Sequence, residues 1–151
     1  MPATGTVFTM GTTFGVSNGP TYLGQSIVPA TLTGTENFRN YSAQVLKTVS
    51  GQVVDALGFV RPNWLGMGFC MVLDPVQSGT PTPGQLLAAT VTVKLLNCVG
   101  GAADYDIDLA VGESKAWVIL PATITDDCTA IQIDGDTNCD CDIYGLLLLS
   151  A

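Results

Sequence analysis

The segment from residue 104 to residue 120, DYDIDLAVGESKAWVIL, constrains the fold more than any other part of the chain. In its first half aspartates alternate with apolar residues, and a period of two places the two sets on opposite faces of a β-strand. Residues 115–120 are apolar almost throughout, which favours a strand covered on both faces. We expect a tight turn at 112–114 to join the two strands into a hairpin that ends at Pro121. A hairpin with one wet and one dry face must pack on a second sheet, so the segment predicts a β-sandwich.

Short apolar strands separated by turn residues continue through the chain. Residues 86–99, 123–133 and 139–151 each predict a strand, and the glycines at 100 and 101 supply a turn. Residues 58–74 predict a bent or bulged strand because two glycines interrupt them. Together these patterns predict an all-β protein, an antiparallel β-sandwich that is jelly-roll-like or immunoglobulin-like, with at most one short helix.

The N-terminal segment has a different composition. Residues 1–34 are rich in Thr, Gly, Ser and Pro, which favours turns and extended backbone, yet they hold too many apolar residues for a free tail. They fit either an arm that docks on another surface or edge strands of the same domain. We predict an extended N-terminal arm over 1–34 and a single β-sandwich domain over 35–151.

Residues 35–57 admit two interpretations. Thr33 and Glu36 have the spacing of a capping box, and apolar residues recur near a helical period after them. This pattern predicts a short helix from about Glu36 to Lys47, followed by a strand. The alternative is a hairpin across Ser50 and Gly51, since both flanking runs also suit strands.

The composition favours a protein that contacts other chains over the alternative, a monomer with a surface rich in Thr, Ser, Asn and Gly. Only 12% of the residues are charged and the mean hydropathy is +0.40, so there is little polar surface to cover a monomer. The net charge is −8, and residues 104–151 hold ten acids and one base. Five scattered Lys and Arg residues form no phosphate-binding patch, and an acidic surface repels nucleic acid and anionic membranes.

The cysteines and the chain start indicate a reducing compartment. We find no positively charged start followed by an apolar run, and no apolar run long enough to cross a membrane, so we expect a soluble protein made in the cytoplasm. Five cysteines without secretory context are expected to be reduced thiols.

The inventory of catalytic groups predicts no enzyme. The chain has no His and only two Glu, Glu36 and Glu113, and it contains neither a nucleophile elbow nor a phosphate-binding glycine loop.

The acidic tract at 134–142 is a candidate calcium site. Oxygen ligands at every second position suit calcium, and the candidate ligands are Asp134, Asp136, Asp140 and Asp142. The EF-hand pattern fails, because its glycine position falls on Cys139 and its glutamate position on Gly145. The favoured interpretation is a solvated strand face plus a turn whose side chains bond their own backbone.

The pair Cys139 and Cys141 is the other local signal. A disulfide between residues two apart on a strand is strained, and zinc would need further thiolates. We therefore predict small buried residues, with Cys139, Cys141 and Ile143 on the dry face and the aspartates on the wet face.

Four aromatic residues are candidates for lining a sugar-binding face, although such residues are more often part of a core. They are Trp64, Trp117, Tyr105 and Tyr144.

A family resemblance covers about residues 86–150. The strings VTVKLLN, YDIDLAVGESKAWVILPATI, TAIQI and IYGLLLLS resemble the small β-sandwich modules of tailed-phage virion proteins, in which an A-x-G-E-S-type turn joins two apolar strands. The first 85 residues are similar in character to capsid decoration or cement proteins, whose arms lie on neighbouring capsid subunits. The turn DGDTNCDCD departs from that pattern.

The resemblance implies a non-enzymatic virion structural protein without a cofactor, synthesised in the host cytoplasm. It implies binding to the major capsid protein or other virion subunits, and a homo-oligomer. The residues predicted to contact the partner are Val7, Phe8, Met10, Phe14, Tyr22, Leu23, Pro81 and Pro83. The alternative function is a carbohydrate- or receptor-binding module of a phage tail or a cell surface.

Overall fold

A computed structural model of the 151-residue chain describes residues 10–12, 25–27, 36–74, 81–117 and 119–150. Two short strands form an antiparallel pair: β1 (Met10–Thr12) and β2 (Gln25–Ile27). The remaining strands are β3 (Glu36–Val45), β4 (Gln52–Asp55), β5 (Trp64–Leu73), β6 (Thr90–Val99), β7 (Ala103–Ala110), β8 (Ser114–Trp117), β9 (Ile131–Asp134) and β10 (Cys141–Ser150). The described helical elements are a 3-10 turn (Arg61–Asn63) and the helix α1 (Pro83–Leu87). None of the helices in these ranges is long and apolar enough to cross a membrane.

The strands β3 to β10 form two four-stranded antiparallel sheets. Sheet I has the order β3–β10–β5–β8, and sheet II has the order β4–β9–β6–β7. Each connection from β3 to β10 crosses between the sheets, except the turn between β6 and β7. The predicted all-β sandwich is therefore confirmed, and its strand order is that of a jelly roll rather than an immunoglobulin fold.

The core lies between the two sheets and follows the predicted alternation. Val91, Val93 and Leu95 of β6 and Ile107 and Leu109 of β7 are buried, while the residues between them face outward. Because strand side chains alternate between faces, each strand contributes every second residue to the core. Apolar burial of this kind is the main favourable term in folding.

The predicted hairpin at 104–120 is wrong in its pairing. The strand β7 pairs with β6 in sheet II, whereas β8 pairs with β5 in sheet I. Gly112 has a φ of 71°, and its N–H donates to the carbonyl of Met71, so β5 holds the turn that carries the chain across. The strand β8 is an edge strand, and its four residues are half-buried rather than covered on both faces.

The helix predicted over Glu36–Lys47 is wrong. The alternative hairpin is right that both runs form strands and wrong in pairing them with each other. The strand β3 pairs with β10 without a register shift, and β4 pairs with β9 in the opposite sheet. Tyr41 and Val45 face the core, and a spacing of four residues fits one face of a strand as well as a helix. Long-range pairing therefore decided between two patterns that the local sequence left open.

The strand predicted from residue 86 begins later. Residues 83–87 form α1, whose first turn is closed by a capping box between Thr82 and Gln85, and β6 starts at Thr90. The predicted bulge near Gly66 is confirmed, because the pairing of β5 with β10 shifts register at Leu148 and Leu149.

Candidate interaction surfaces

The predicted partner-contact residues are mostly outside the described ranges. Val7, Phe8, Phe14, Tyr22 and Leu23 lie there, so their roles stay predictions. Met10 begins β1, where its backbone pairs with Ile27. Pro81 is half-buried, and Pro83 is the exposed first residue of α1.

The outer face of sheet II is acidic. Asp104, Asp106 and Asp108 project from the edge strand β7, and Asp134 projects from β9. Lys94 lies among them and pairs with Asp134 at 2.7 Å. Neighbouring carboxylates of one sign repel another acidic surface, so this face is suited to water.

The outer face of sheet I is mostly neutral. By register it carries uncharged polar residues of β3 and mostly apolar residues of the other three strands, with Ser114 and Asp142 as the polar exceptions. Leu148 and Cys70 are 5% and 6% exposed although they lie outside the core between the sheets, whereas Tyr144 is exposed. The described residues of this face include Asn40, Ser42, Gln44, Cys70, Val72, Ser114, Ala116, Asp142, Tyr144, Leu146 and Leu148.

A third surface is the β3–β4 side, the side of the sandwich where these two edge strands meet. A buried polar cluster joins them: Asp55 of β4 accepts hydrogen bonds from Arg39 and Tyr41 of β3, both at 2.6 Å. Arg39 also donates to the carbonyl of Gly58 at 2.6 Å. Four of the seven large apolar side chains that are exposed in the described ranges lie here, namely Leu46 (52%), Val53 (52%), Leu57 (78%) and Val60 (50%).

The cluster keeps Asp55 ionised and Tyr41 neutral. Burial alone raises the pKa of the Asp55 carboxyl, but hydrogen bonds from Tyr41, Arg39 and the Leu57 N–H outweigh it and lower that pKa below its ordinary value. Burial raises the pKa of Tyr41 well above its usual range. The cluster is therefore an ion pair with a neutral phenol, which bridges the two sheets.

Three of the four calcium candidates accept hydrogen bonds from backbone N–H groups. Asp134 accepts from Gly51 at 2.7 Å, Asp136 from Thr90 at 2.9 Å, and Asp140 from Lys47 at 2.9 Å. These bonds fasten residues 134–140 to the loop between β3 and β4 and to the start of β6. No group of three or more His, Cys, Asp or Glu placed to hold a metal occurs among the residues that the structure describes.

The predicted wet face is wrong for two of these aspartates. Asp136 and Asp140 are 8% and 2% exposed, and their carboxylates are buried by the turn they stabilise. The predicted bond to the turn's own backbone is confirmed, because Asn138 N–H donates to Asp136 at 2.7 Å.

The pKa values within the tract move in two directions. Lys94 and other donors hold the pKa of Asp134 below its ordinary value. Burial raises the pKa of Asp136, but N–H groups of Thr90 and Asn138 outweigh it and the net shift is downward. Burial, with Asp74 nearby, raises the pKa of Asp142.

All five cysteines are free and buried. Cys139, Cys141 and Ile143 face the core, which confirms the predicted dry face. Burial raises the pKa of Cys128 and of Cys141 to about 12, so these thiols are protonated at neutral pH. A buried, protonated thiol is a poor nucleophile and a poor metal ligand.

The four aromatic residues share no sugar-binding face. Trp64 is buried in the core, Trp117 and Tyr105 pack against it, and Tyr144 projects from the outer face of sheet I. The interpretation as core is confirmed for Trp64.

Sequence reasoning missed an open depression of about 540 Å³ at one end of the sandwich. Arg61, Asn97 and Thr129 line it together with the adjacent carboxylates of Asp126 and Asp127. Asn97 has a φ of 58°, which Asn tolerates better than most residues. The lining comes from segments that are far apart in the sequence, and no local motif marks it.

Comparisons with known proteins leave the family open. The sequence matches no protein-family model, and no curated protein is significantly similar to it. One solved structure, described as "Bacillus endospore appendages form a novel family of disulfide-linked pili", aligns with a TM-score of 0.38 and 13% identity, covering 78% of this chain and 91% of that chain. A similarity this low does not bear on function.

Proposed function

We propose that this protein is a non-enzymatic structural protein of a virion, which binds and stabilises a capsid lattice as a decoration or cement protein does. The observation that carries the proposal is the exposed apolar surface of a small acidic sandwich, which is suited to contact with other subunits.

The capsid contact is assigned to the segment around α1 and to the predicted arm. Leu87 of α1 is largely exposed, and it lies four residues from Pro83. An exposed Leu on a short helix that begins with Pro83 offers a small apolar contact on an ordered backbone, which loses little entropy on binding. Many such contacts in a symmetric lattice add up, because multivalency converts weak binding into a stable assembly.

Binding to capsids that lack the protein tests the proposal. We expect the copies bound per particle to saturate at a multiple of the capsid's symmetry number. Leu87→Asp should weaken binding at least tenfold, whereas the matched control Ala110→Asp, on the acidic face, should bind like the wild type. Equal binding by both variants would exclude α1 as the contact, and no binding by the wild type would refute the proposal.

Deletion of residues 1–24 tests the arm separately. The truncated protein should keep its sandwich, because β3 to β10 lie outside the deletion, and should lose capsid binding. A folded truncated protein that still binds would refute the role of the arm.

A carbohydrate- or receptor-binding module is the second candidate, and the depression beside Arg61 favours it. Amide, carboxylate and hydroxyl groups there are the kind that bind sugar hydroxyls. A glycan array on the wild type and on Asp127→Ala tests this function. Glycan binding that the substitution abolishes would favour it over capsid binding.

A further inference from the structure

We infer that the open edge of β3 pairs with the same strand of a second copy, in an antiparallel arrangement centred on Asn40. The pairing would extend sheet I across a two-fold axis into one eight-stranded sheet. This contact joins copies of this chain and goes beyond the proposed function, since it requires no capsid.

The first observation is the state of the β3 edge. In the described ranges β3 has a neighbouring strand on one side only, β10. It is ten residues long and pairs with β10 without a register shift. A long, regular edge strand presents unpaired N–H and C=O groups, which are a template for another strand.

The second observation shows which backbone groups face the edge. The carbonyl of Gln44 accepts a hydrogen bond from the Gln52 side chain of the other sheet, at 3.0 Å, so it points away from β10. In an antiparallel strand every second residue directs its N–H and C=O to the same side. The N–H and C=O groups of Phe38, Asn40 and Ser42 therefore face the same edge as the carbonyl of Gln44. That carbonyl already accepts a hydrogen bond from Gln52.

These edge groups, which have no strand beside them in the described ranges, set the register. Pairing centred on Asn40 places Asn40 opposite Asn40 of the second copy, and Phe38 opposite Ser42 of that copy. Each edge-facing N–H and C=O group of residues 38, 40 and 42 then meets a partner group, and the occupied carbonyl of Gln44 lies beyond the paired region. Asn is self-complementary in this position because its amide both donates and accepts.

Charge selects this edge over the others. Asn40, Ser42 and Gln44 are exposed and uncharged, and Arg39 is bound to Asp55. By contrast, β7 carries three outward aspartates, which would face like charges in a self-paired sheet. The other two edge strands, β4 and β8, have four residues each.

Apolar side chains flank the edge on the same side of the sandwich. Val53, Leu57 and Val60 are at least half exposed, and the Arg39 contact to Gly58 holds their segment beside β3. A second copy would cover them, and burial of apolar area adds to the backbone hydrogen bonds.

The test measures the association state of the full chain without capsids, by sedimentation equilibrium. We expect the wild type to dimerise, and Asn40→Lys and Asn40→Asp each to raise the dissociation constant at least tenfold because like charges then face each other. An equimolar mixture of the two variants should restore the dimer, since opposite charges then meet. The matched control Ala110→Lys makes the same kind of change on β7 and should leave dimerisation unchanged.

Each other outcome overturns the inference. A monomeric wild type excludes self-pairing. That holds whether the edge of β3 binds a strand of another protein or no strand at all. A mixture that fails to restore the dimer, or an effect of Ala110→Lys equal to that of Asn40→Lys, excludes the assigned register or edge. At a concentration low enough for the wild type to be monomeric, thermal unfolding of each variant should match the wild type, because both positions are exposed. Capsid binding by a monomeric protein would leave the proposed function intact.

Discussion

The β3–β4 side and the opposite side, where β7 and β8 are the edge strands, differ in how they protect their edge strands from pairing with other chains. The strand β7 presents three aspartates to solvent, and charge protects its edge from pairing. The β3–β4 side directs its charges inward, into the cluster of Arg39, Tyr41 and Asp55, and leaves amide, hydroxyl and apolar groups outside. The same jelly roll therefore has one side suited to water and one suited to protein, and the placement of a few charges makes the difference.

The largest expected effect is on the free energy of unfolding, and it compares alanine substitutions at two glycines, one on each side of the sandwich. Gly58 and Gly101 both have positive φ, at 55° and 82°, but a β-carbon at Gly58 would collide with the carbonyl of Cys128, whereas nothing lies near one at Gly101. Gly101→Ala should cost roughly 1–2 kcal/mol for its backbone conformation alone. Gly58→Ala should cost roughly 3 kcal/mol or more, because overpacking adds to the same term. Urea unfolding of both variants measures this, and equal costs would contradict the close approach.

The next largest effect is expected when the buried carboxylate of the β3–β4 side, that of Asp55, is removed. Asp55→Ala leaves Arg39 and Tyr41 without their shared acceptor and should destabilise the protein by roughly 2–4 kcal/mol. Asp108→Ala, on the exposed face of β7, is the control and should cost roughly 1 kcal/mol or less. If the two variants unfold at the same urea concentration, the bridge between the sheets contributes no more than a surface carboxylate.

A smaller effect is expected from acid. The pKa values of Asp55, Asp134 and Asp136 are lowered in the folded state, so their contribution to stability is complete above about pH 4 and is lost as the pH falls through the folded-state values. The raised pKa of Asp142 acts in the opposite sense, because the folded state then holds that proton more tightly. Urea unfolding at several pH values should show a net loss of stability toward low pH, reduced in Asp136→Asn. A flat profile for the wild type would contradict this balance.

The smallest effect on stability is expected on β7. Asp106→Asn should change the free energy of unfolding by less than about 0.5 kcal/mol, since the side chain is exposed. It should instead promote concentration-dependent association, because it removes one of the charges that guard the edge. Light scattering against concentration measures this, and an unchanged signal would mean that the remaining aspartates suffice.

The strands that the sequence predicts best are those whose alternation is purely local. In β6 and β7 a period of two with Asp or Lys on one face determines both the strand and its buried side, and the glycines at 100 and 101 determine the turn. The alternation in residues 104–120 is equally clear, yet the predicted pairing of its two strands is wrong. A tight turn can return the chain within the same sheet or carry it to the opposite sheet. Only the contact of the turn with Met71 distinguishes the two.

The candidate surfaces depend on long-range information. Tyr41 and Val45 fit a helix and a strand equally well until β10 pairs beside them. The sequence pattern predicts solvated side chains for Asp136 and Asp140. No local pattern shows that the N–H groups of Thr90 and Lys47 point toward them. The open edge of β3 could not be inferred, since it is defined by the absence of a neighbour on one side in the described ranges.

The place of β10 in sheet I has a consequence for synthesis on the ribosome. This strand, the last one described, lies between β3 and β5, which have no direct pairing with each other. Sheet I therefore cannot close until residue 150 has left the exit tunnel, and until then β3 and β5 remain without their shared neighbour. Closure of sheet I must therefore follow synthesis of β10, and until then β3 and β5 expose strand edges that are prone to pair with other chains.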